Sequence, residues 1–208
     1  MIHIVNAENR ALFVTDLQTM HEQRKAVFVD GLGWNVPVTA GCEIDAYDRD
    51  DTLYLLAYDP HDQSLSGSAR LLPTLQPHLM SDLFAHTCEC GVPRGPHIWE
   101  ASRFCPAPGA TRRARLILLW SILVAVMETA LLFGIEEVVF TANAALLPLV
   151  LRAGWQARRL GRTVRDGSDS ISAVAVDINL AGLRALRSRF GIDGPVTRFV
   201  EPRHALAA

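Results

Sequence analysis

Leu116 to Met127 is the most apolar stretch of the chain, twelve residues interrupted by Ser121 and bounded by Arg115 and Glu128. It falls short of the roughly 20 residues that a membrane span requires, so it reads as a helix buried in a protein core. The helix is predicted from about Thr111 to Leu132, with Gly134 closing it. The elements around it set the fold class. Ile2 to Val5 reads as a strand and Glu8 to about Val29 as an amphipathic helix that Gly31-Leu-Gly33-Trp34 ends, followed by a turn-rich segment to Gly41. Thr52 to Tyr58 and Leu65 to Thr74 form a hairpin across Asp59-Pro60-His61-Asp62, and Ile98 to Phe104 is a further strand. Beyond the long helix come a strand from Glu137 to Thr141, a helix through Leu151 with Pro148 in its first turn, and strands at Trp155–Leu160 and Ile171–Ile178. A helix capped by Asn179 runs to Phe190. Strands, one long central helix, then alternation favour an α/β (α+β) three-layer sandwich over a bundle or an all-β sandwich.

Composition agrees: 208 residues, half of them hydrophobic and a fifth charged, suit a single domain spanning 1–208. The N-terminus, Met1-Ile-His-Ile-Val, has neither the basic region nor the apolar region of a signal peptide, and the four cysteines lack a secreted-framework spacing. A reduced, cytoplasmic setting is the expectation. His86-x-Cys88-x-Cys90 is tighter than the usual zinc knuckle and has no second pair, so no metal is expected.

The net charge of −2 conceals a polarity. Residues 1–100 carry 14 acids against 6 bases, net −8, and residues 101–208 carry 8 acids against 14 bases, net +6. Three segments concentrate chemistry. Arg24 and Phe28 share a helix face at i, i+4, with Trp34 on the loop beyond, although a Phe and a Trp near a helix end are ordinarily core. Glu43-Ile-Asp45-Ala-Tyr-Asp48-Arg-Asp50-Asp51 packs five acids into nine residues; composition alone makes it a solvated loop, but its entry into a strand suits a cation site, with Arg70 on the next strand neutralising part of the excess. On the strand Trp99-Glu100-Ala-Ser102-Arg103-Phe104, Glu100 and Ser102 share one face and Arg103 the other. Such groups on a buried strand must be paired, as a site or as a structural ion pair. Arg112, Arg113 and Arg115 then oppose the dipole of the long helix, which makes sense if an anion joins them.

These positions resemble the acyl-homoserine-lactone synthases, the LuxI-type autoinducer synthases. Arg24, Phe28, Trp34, Glu43, Asp45, Asp48, Arg70, Phe84, Glu100 and Arg103 stand in the family's order at close to its spacing, while the second half matches loosely. The resemblance implies a fold similar to the GCN5-related N-acetyltransferases, a mixed twisted sheet with a V-shaped cleft, and a division into a half for S-adenosylmethionine (SAM) and catalysis (1–105) and an acyl-donor half (106–208). It implies acylation of the SAM amine from acyl carrier protein or coenzyme A, followed by lactone closure with loss of methylthioadenosine. SAM is then a consumed substrate, and no cofactor, nucleic acid or membrane is expected. Asp45 and Asp48 suit the cationic groups of SAM, Arg24 or Arg70 its carboxylate, and Phe28 and Trp34 its adenine or sulfonium. Glu100, then Glu43, is the candidate base, with Arg103 beside it in the catalytic set. Phe84, Ser102, Phe104, Arg112, Arg113, Thr141 and Arg152 are expected toward the acyl donor. Backbone N–H groups from Ser102 to Phe104 suit the oxyanion, and Arg152, Arg158, Arg159, Arg162 and Arg165 suit an acidic carrier protein or coenzyme A phosphates. Two rivals remain: an acetyl-coenzyme A N-acetyltransferase, against which Pro106-Ala-Pro-Gly-Ala-Thr-Arg112 lacks a glycine-rich pyrophosphate loop, and a non-catalytic binding protein, which leaves Glu100 and Arg103 unexplained.

Overall fold

The computed structural model describes residues 1–167 and 169–202. The chain divides into two compact units, and each draws on discontinuous segments.

Among the described residues, the first unit comprises 1–70, 103–122 and 197–202. Its first strand, β1 (Ile2–Val5), pairs antiparallel with β4 (Leu53–Tyr58), Ile4 opposite Leu55, and parallel with the last strand, β11 (Thr197–Phe199), Ile2 opposite Thr197. β5 (Leu65–Pro73) follows β4 in the sheet, and β6 (Ile98–Pro106) lies beyond it, its end joined to β5 by the Ala107 N–H donating to the Ser66 carbonyl at 2.9 Å. β4 is buried from Leu53 to Ala57, as expected of a strand covered on both faces. One face carries Val5, Tyr54 and Leu56 against Phe13 and Met20 of the first helical segment.

That segment departs from the expected helix at both ends. The Asn6 side chain accepts from the Glu8 N–H and the Asn9 side chain from the Asn6 N–H, while Asn9 Nδ2 donates to the carbonyls of Ile4 and Val200. Bonds of this kind hold residues 6–9 in a turn that competes with helix. A 3-10 turn over Arg10–Phe13 leads into α1 (Val14–Arg24), which passes without a break into a π-helical turn over Lys25–Gly31. A two-stranded ribbon, β2 (Val38–Thr39) with β3 (Cys42–Glu43), occupies the turn-rich segment, and its two-residue loop has both Ala40 and Gly41 at positive φ.

The second unit comprises residues 71–102 and 123–196. Here β6 pairs parallel with β7 (Glu137–Asn143), and β7 antiparallel with β10 (Asp169–Asp177), which also pairs with β8 (Ala157–Arg159) and β9 (Val164–Asp166). Met80 and Cys88 pack on Val139, Ala173 and Ala175 of this sheet. Met80 lies in the short α2 (Leu79–Asp82), and α4 (Leu147–Leu151) has Pro148 in its first turn, as predicted. β8 is shorter than expected because Trp155 turns inward and donates its indole N–H to the Val150 carbonyl. α5 (Leu180–Phe190) starts where Asn179 accepts from the Gly182 N–H and ends at Gly191, φ 66°.

The central helix is α3 (Arg112–Leu132), whose first half belongs to the first unit and second half to the second. By length and composition it is apolar enough to cross a membrane, but Leu118, Leu119 and every residue from Ile122 to Met127 are buried within the protein. It is a core helix. Parallel and antiparallel pairs together make the sheet mixed, and helices flank it, as the family resemblance implies.

Candidate active site

The acidic run separates into two groups. Asp50 and Asp51 face outward, toward Arg10 and Arg49. Glu43 at the end of β3 and Asp45 and Asp48 in the turn beyond it face inward, where three arginines from α1, β5 and β6 meet them. Arg24 donates from Nε to Glu43 and from its two Nη atoms to Asp48 at 2.8 and 2.9 Å. Arg70 reaches Asp45 at 2.6 and 3.0 Å and Asp48 at 2.9 Å. Arg103 reaches Glu43 at 3.0 Å and Asp45 at 2.7 Å through Nη2. Three cations and three anions, none more than 7% exposed, form a buried network without net charge.

This corrects one expectation in degree. Arg70 alone was expected to neutralise part of the acid excess, whereas three arginines neutralise all of it. The reason is desolvation: an unpaired carboxylate at this depth costs several kcal/mol, so each of the six oxygens accepts a bond. Asp48 shows the balance. Burial alone would raise its pKa, but the Arg24 hydrogen bonds and charge, with Arg70, hold it well below the usual carboxylate range. Burial likewise works against the Arg24 and Arg70 charges, and their Asp48, Asp45 and Glu43 partners more than compensate, raising both.

Two further residues brace the network, and the sequence reading missed both. The Tyr54 hydroxyl donates to Asp48 at 2.9 Å, and burial with the Asp48 charge raises its pKa. The His21 ring donates from Nδ1 to the Glu43 carbonyl at 2.9 Å. Burial, then Arg24, lowers the His21 pKa and keeps the ring neutral. Tyr54 falls inside an apolar strand run, where a tyrosine reads as core; a polar tip needing a partner was the available signal.

Phe28 and Trp34 lie flat on one another, ring centroids 4.7 Å apart and planes 7° from parallel. The π-helical turn arranges this. Its wide hydrogen bonding carries the Leu32 N–H back to Val27 and the Trp34 N–H to Phe28, so the chain folds the indole over the phenyl ring. The Arg103 guanidinium carbon lies 5.6 Å from the Phe28 centroid and 6.0 Å from that of Trp34, joining the rings to the charge network. Arg103 itself has φ +53°, a left-handed conformation that costs a non-glycine residue about 1–2 kcal/mol.

Eight of the expected residues are therefore brought together in the first unit: Arg24, Phe28, Trp34, Glu43, Asp45, Asp48, Arg70 and Arg103. Phe104, Arg112 and Arg113 belong to the same unit, with the two arginines exposed on the first turn of α3. Glu100, Ser102, Phe84, Thr141 and Arg152 belong to the second unit. Glu100 is buried on β6 and accepts from the Met80 N–H at 3.0 Å, while Phe84 is half-buried after α2. Arg152, Arg159, Arg162 and Arg165 are exposed, and Arg158 bonds Glu137 and Asp177. Burial pushes the Cys105 thiol up to about 12, so it is not a thiolate nucleophile at neutral pH. Among the described residues no group of three or more His, Cys, Asp or Glu could hold a metal ion.

The fold is that of the α/β N-acyltransferases. An acyl-CoA N-acyltransferase from Pseudomonas aeruginosa superposes with a TM-score of 0.60 over 84% of this chain and 97% of its own; at 17% identity this likeness is one of fold alone. The autoinducer synthase family model matches residues 9–186, and the chain belongs to that family. It is 36% identical over 169 residues to the acyl-homoserine-lactone synthase of Ralstonia nicotianae, covering 78% of this chain and 82% of the relative. The structure of a CoA-dependent acyl-homoserine lactone synthase with SAM and isopentyl-CoA is 32% identical and superposes with a TM-score of 0.87, over 98% of this chain and 95% of that one. The protein is an acyltransferase of the acyl-homoserine-lactone synthase type.

Proposed function

We propose that this enzyme transfers an acyl group from acyl-coenzyme A to the amine of SAM and closes the product to the homoserine lactone in the cytoplasm. The observation that carries this reading is the likeness, along almost the whole chain, to a CoA-dependent synthase holding SAM and isopentyl-CoA. The ion-pair network and the stacked rings support it, because they supply cation-compatible aromatic faces beside fixed guanidinium groups.

In the first step the SAM amine attacks the thioester carbon, the C–S bond breaks, and the thiol leaves. The amine must lose a proton, and with a free α-amine pKa of about 7.7–8.0 a carboxylate acting directly or through water suffices. Glu100 is the base in this proposal. Glu43, the alternative, has both oxygens engaged by Arg24 and Arg103. The left-handed Arg103 interrupts the pleat of β6, which favours the Ser102–Phe104 N–H groups as oxyanion donors. In the second step the SAM carboxylate attacks the γ-carbon, the C–S bond to the sulfonium breaks, and methylthioadenosine leaves. SAM is consumed, so no cofactor takes part.

A second reading of the donor, acyl carrier protein, is favoured by the exposed Arg152, Arg159, Arg162 and Arg165. Incubation with SAM and a panel of both donor types, followed by thiol release and mass spectrometry, is expected to give lactone and methylthioadenosine with an acyl-CoA. Absence of SAM-dependent thiol release from every donor would sink the synthase reading. Glu100→Gln is expected to abolish turnover while largely sparing SAM binding; a variant that loses its fold instead assigns Glu100 a structural task.

A further inference from the structure

Between β5 and β6, within the second unit, the chain ties itself twice to the same strand. Thr74, the residue after β5, is fully buried, and its hydroxyl serves two partners. It donates to the Ile98 carbonyl at 2.6 Å and accepts from the Gly95 N–H at 3.1 Å. The Thr74 N–H reaches the same Ile98 carbonyl at 3.2 Å. From the surface, Arg94 donates to the carbonyls of Thr74 at 3.0 Å and Leu75 at 3.1 Å. Further along, the Met80 N–H donates to the Glu100 carboxylate at 3.0 Å. Residues 74–80 therefore form a strap held to β6 at Ile98 and at Glu100, neighbours on one face of the strand.

The strap is stiff. Pro73 and Pro77 fix φ at their positions. His78, also fully buried, donates from Nδ1 to the Gln76 carbonyl at 3.0 Å and shares with Ser81 the hydrogen bonds that start α2. Glu100 is 1% exposed, so donors from the protein, rather than bulk water, decide where its carboxylate points. A side-chain donor can be re-aimed by a change of rotamer. A backbone N–H points where its turn points. Aim matters for a general base, which must stand within about 2.6–3.2 Å of the proton it takes or one water away, and a displacement of about 1 Å can cost about 100-fold. We propose that Thr74 and Arg94 are positioning residues for Glu100: by tying the strap to β6 they hold the Met80 N–H on the carboxylate and so aim the base. This inference rests on Glu100 being the base of the synthase reaction.

The test separates turnover from binding. kcat is measured with saturating SAM and the donor that releases thiol fastest in the panel above, and SAM affinity by titration calorimetry without a donor. Thr74→Val keeps the shape and loses the hydroxyl; it is expected to lower kcat about tenfold or more, with SAM affinity within about twofold of wild type. Thr74→Ser restores the hydroxyl and is expected to return kcat to within about twofold of wild type. Arg94→Ala, at an exposed position, is expected to lower kcat about threefold with the same sparing of SAM affinity. The assignment is overturned if Thr74→Val and Arg94→Ala keep the wild-type kcat, if they weaken SAM binding as much as turnover, or if Thr74→Ser behaves as Thr74→Val does. Should Thr74→Val not fold, Thr74→Ser and Arg94→Ala decide alone. Glu100→Gln in the same assay distinguishes the two failures. If it keeps the wild-type kcat, the base reading falls and this inference with it; if it loses turnover while the strap variants keep theirs, only the positioning role is removed.

Discussion

Arg24 and Arg162 are the same side chain in opposite surroundings. Arg24 is 1% exposed and bonded to Glu43 and Asp48, whereas Arg162 is 95% exposed and its nearest carboxylate, Glu89, stands 3.5 Å away and is itself 60% exposed. In the interior the pair interaction is strong, and so is the penalty for stranding either partner; at the surface, water and salt dissolve both. The contrast extends to the network on one side and to the exposed Arg152, Arg159, Arg162 and Arg165 of the second unit on the other. The first group is fixed in geometry and serves the site by being immobile. The second is loosely held, and can serve only by attracting something of opposite charge.

The contrast can be broken or sharpened in four ways. Arg24→Met leaves three buried acids facing two arginines, an uncompensated charge in the interior, and is expected to cost about 3–5 kcal/mol, seen as a fall in the urea midpoint. Arg162→Ala should leave that midpoint where it is. If the two variants melt alike, the distinction between the groups fails. Tyr54→Phe removes one hydroxyl donor from Asp48 and leaves the ring in place, so a smaller loss of about 1–3 kcal/mol is expected.

Acid titration sharpens the same point by degrees. The Asp48 pKa is depressed in the folded state, so its contribution to stability is fully present above the unfolded value of about 3.9 and is lost as pH falls below it. Urea melts at pH 7, 5 and 3 should show most of the loss in the last interval. Asp48→Asn should start lower and fall less steeply; parallel curves would deny Asp48 that share. The smallest effect is at the surface. The Arg159→Ala, Arg162→Ala double variant should raise KM for a carrier-protein donor a few-fold in low salt, with the difference fading as salt is added and thermal stability unchanged. An unchanged KM would count against that donor.

The residues of the network were legible in the sequence, but its pairing was not. Arg24, Phe28 and Trp34 stand out by local spacing, and the acids by their density. Arg103 and Glu43, however, are 60 residues apart, and nothing near either names the other. The acidic run also gives no local sign that Asp45 and Asp48 turn inward while Asp50 and Asp51 turn out; that division is made by Arg24 and Arg70 arriving from other elements. Elements with strong local signals, such as β1, the β4–β5 hairpin, α3 and the Asn179 cap, fell where predicted. β11 did not, because three residues carry no periodicity and owe their strand to β1, which begins the chain. The π-helical turn escaped for a related reason: Lys25 to about Val29 reads as the end of an ordinary helix, and only the hydrogen bonds reveal the wider winding that runs to Gly31.

That turn sets a constraint of another kind on the chain. Each residue of an α-helix advances the backbone by about 100° of rotation, so a segment wound more widely holds, in effect, one residue more than its length along the axis requires. Substitutions between Lys25 and Gly31 can be absorbed by neighbouring side chains, but removal of one residue would rewind the segment as α-helix and swing all that follows out of phase. Trp34 would then leave the face of Phe28. What this stretch must conserve is a count.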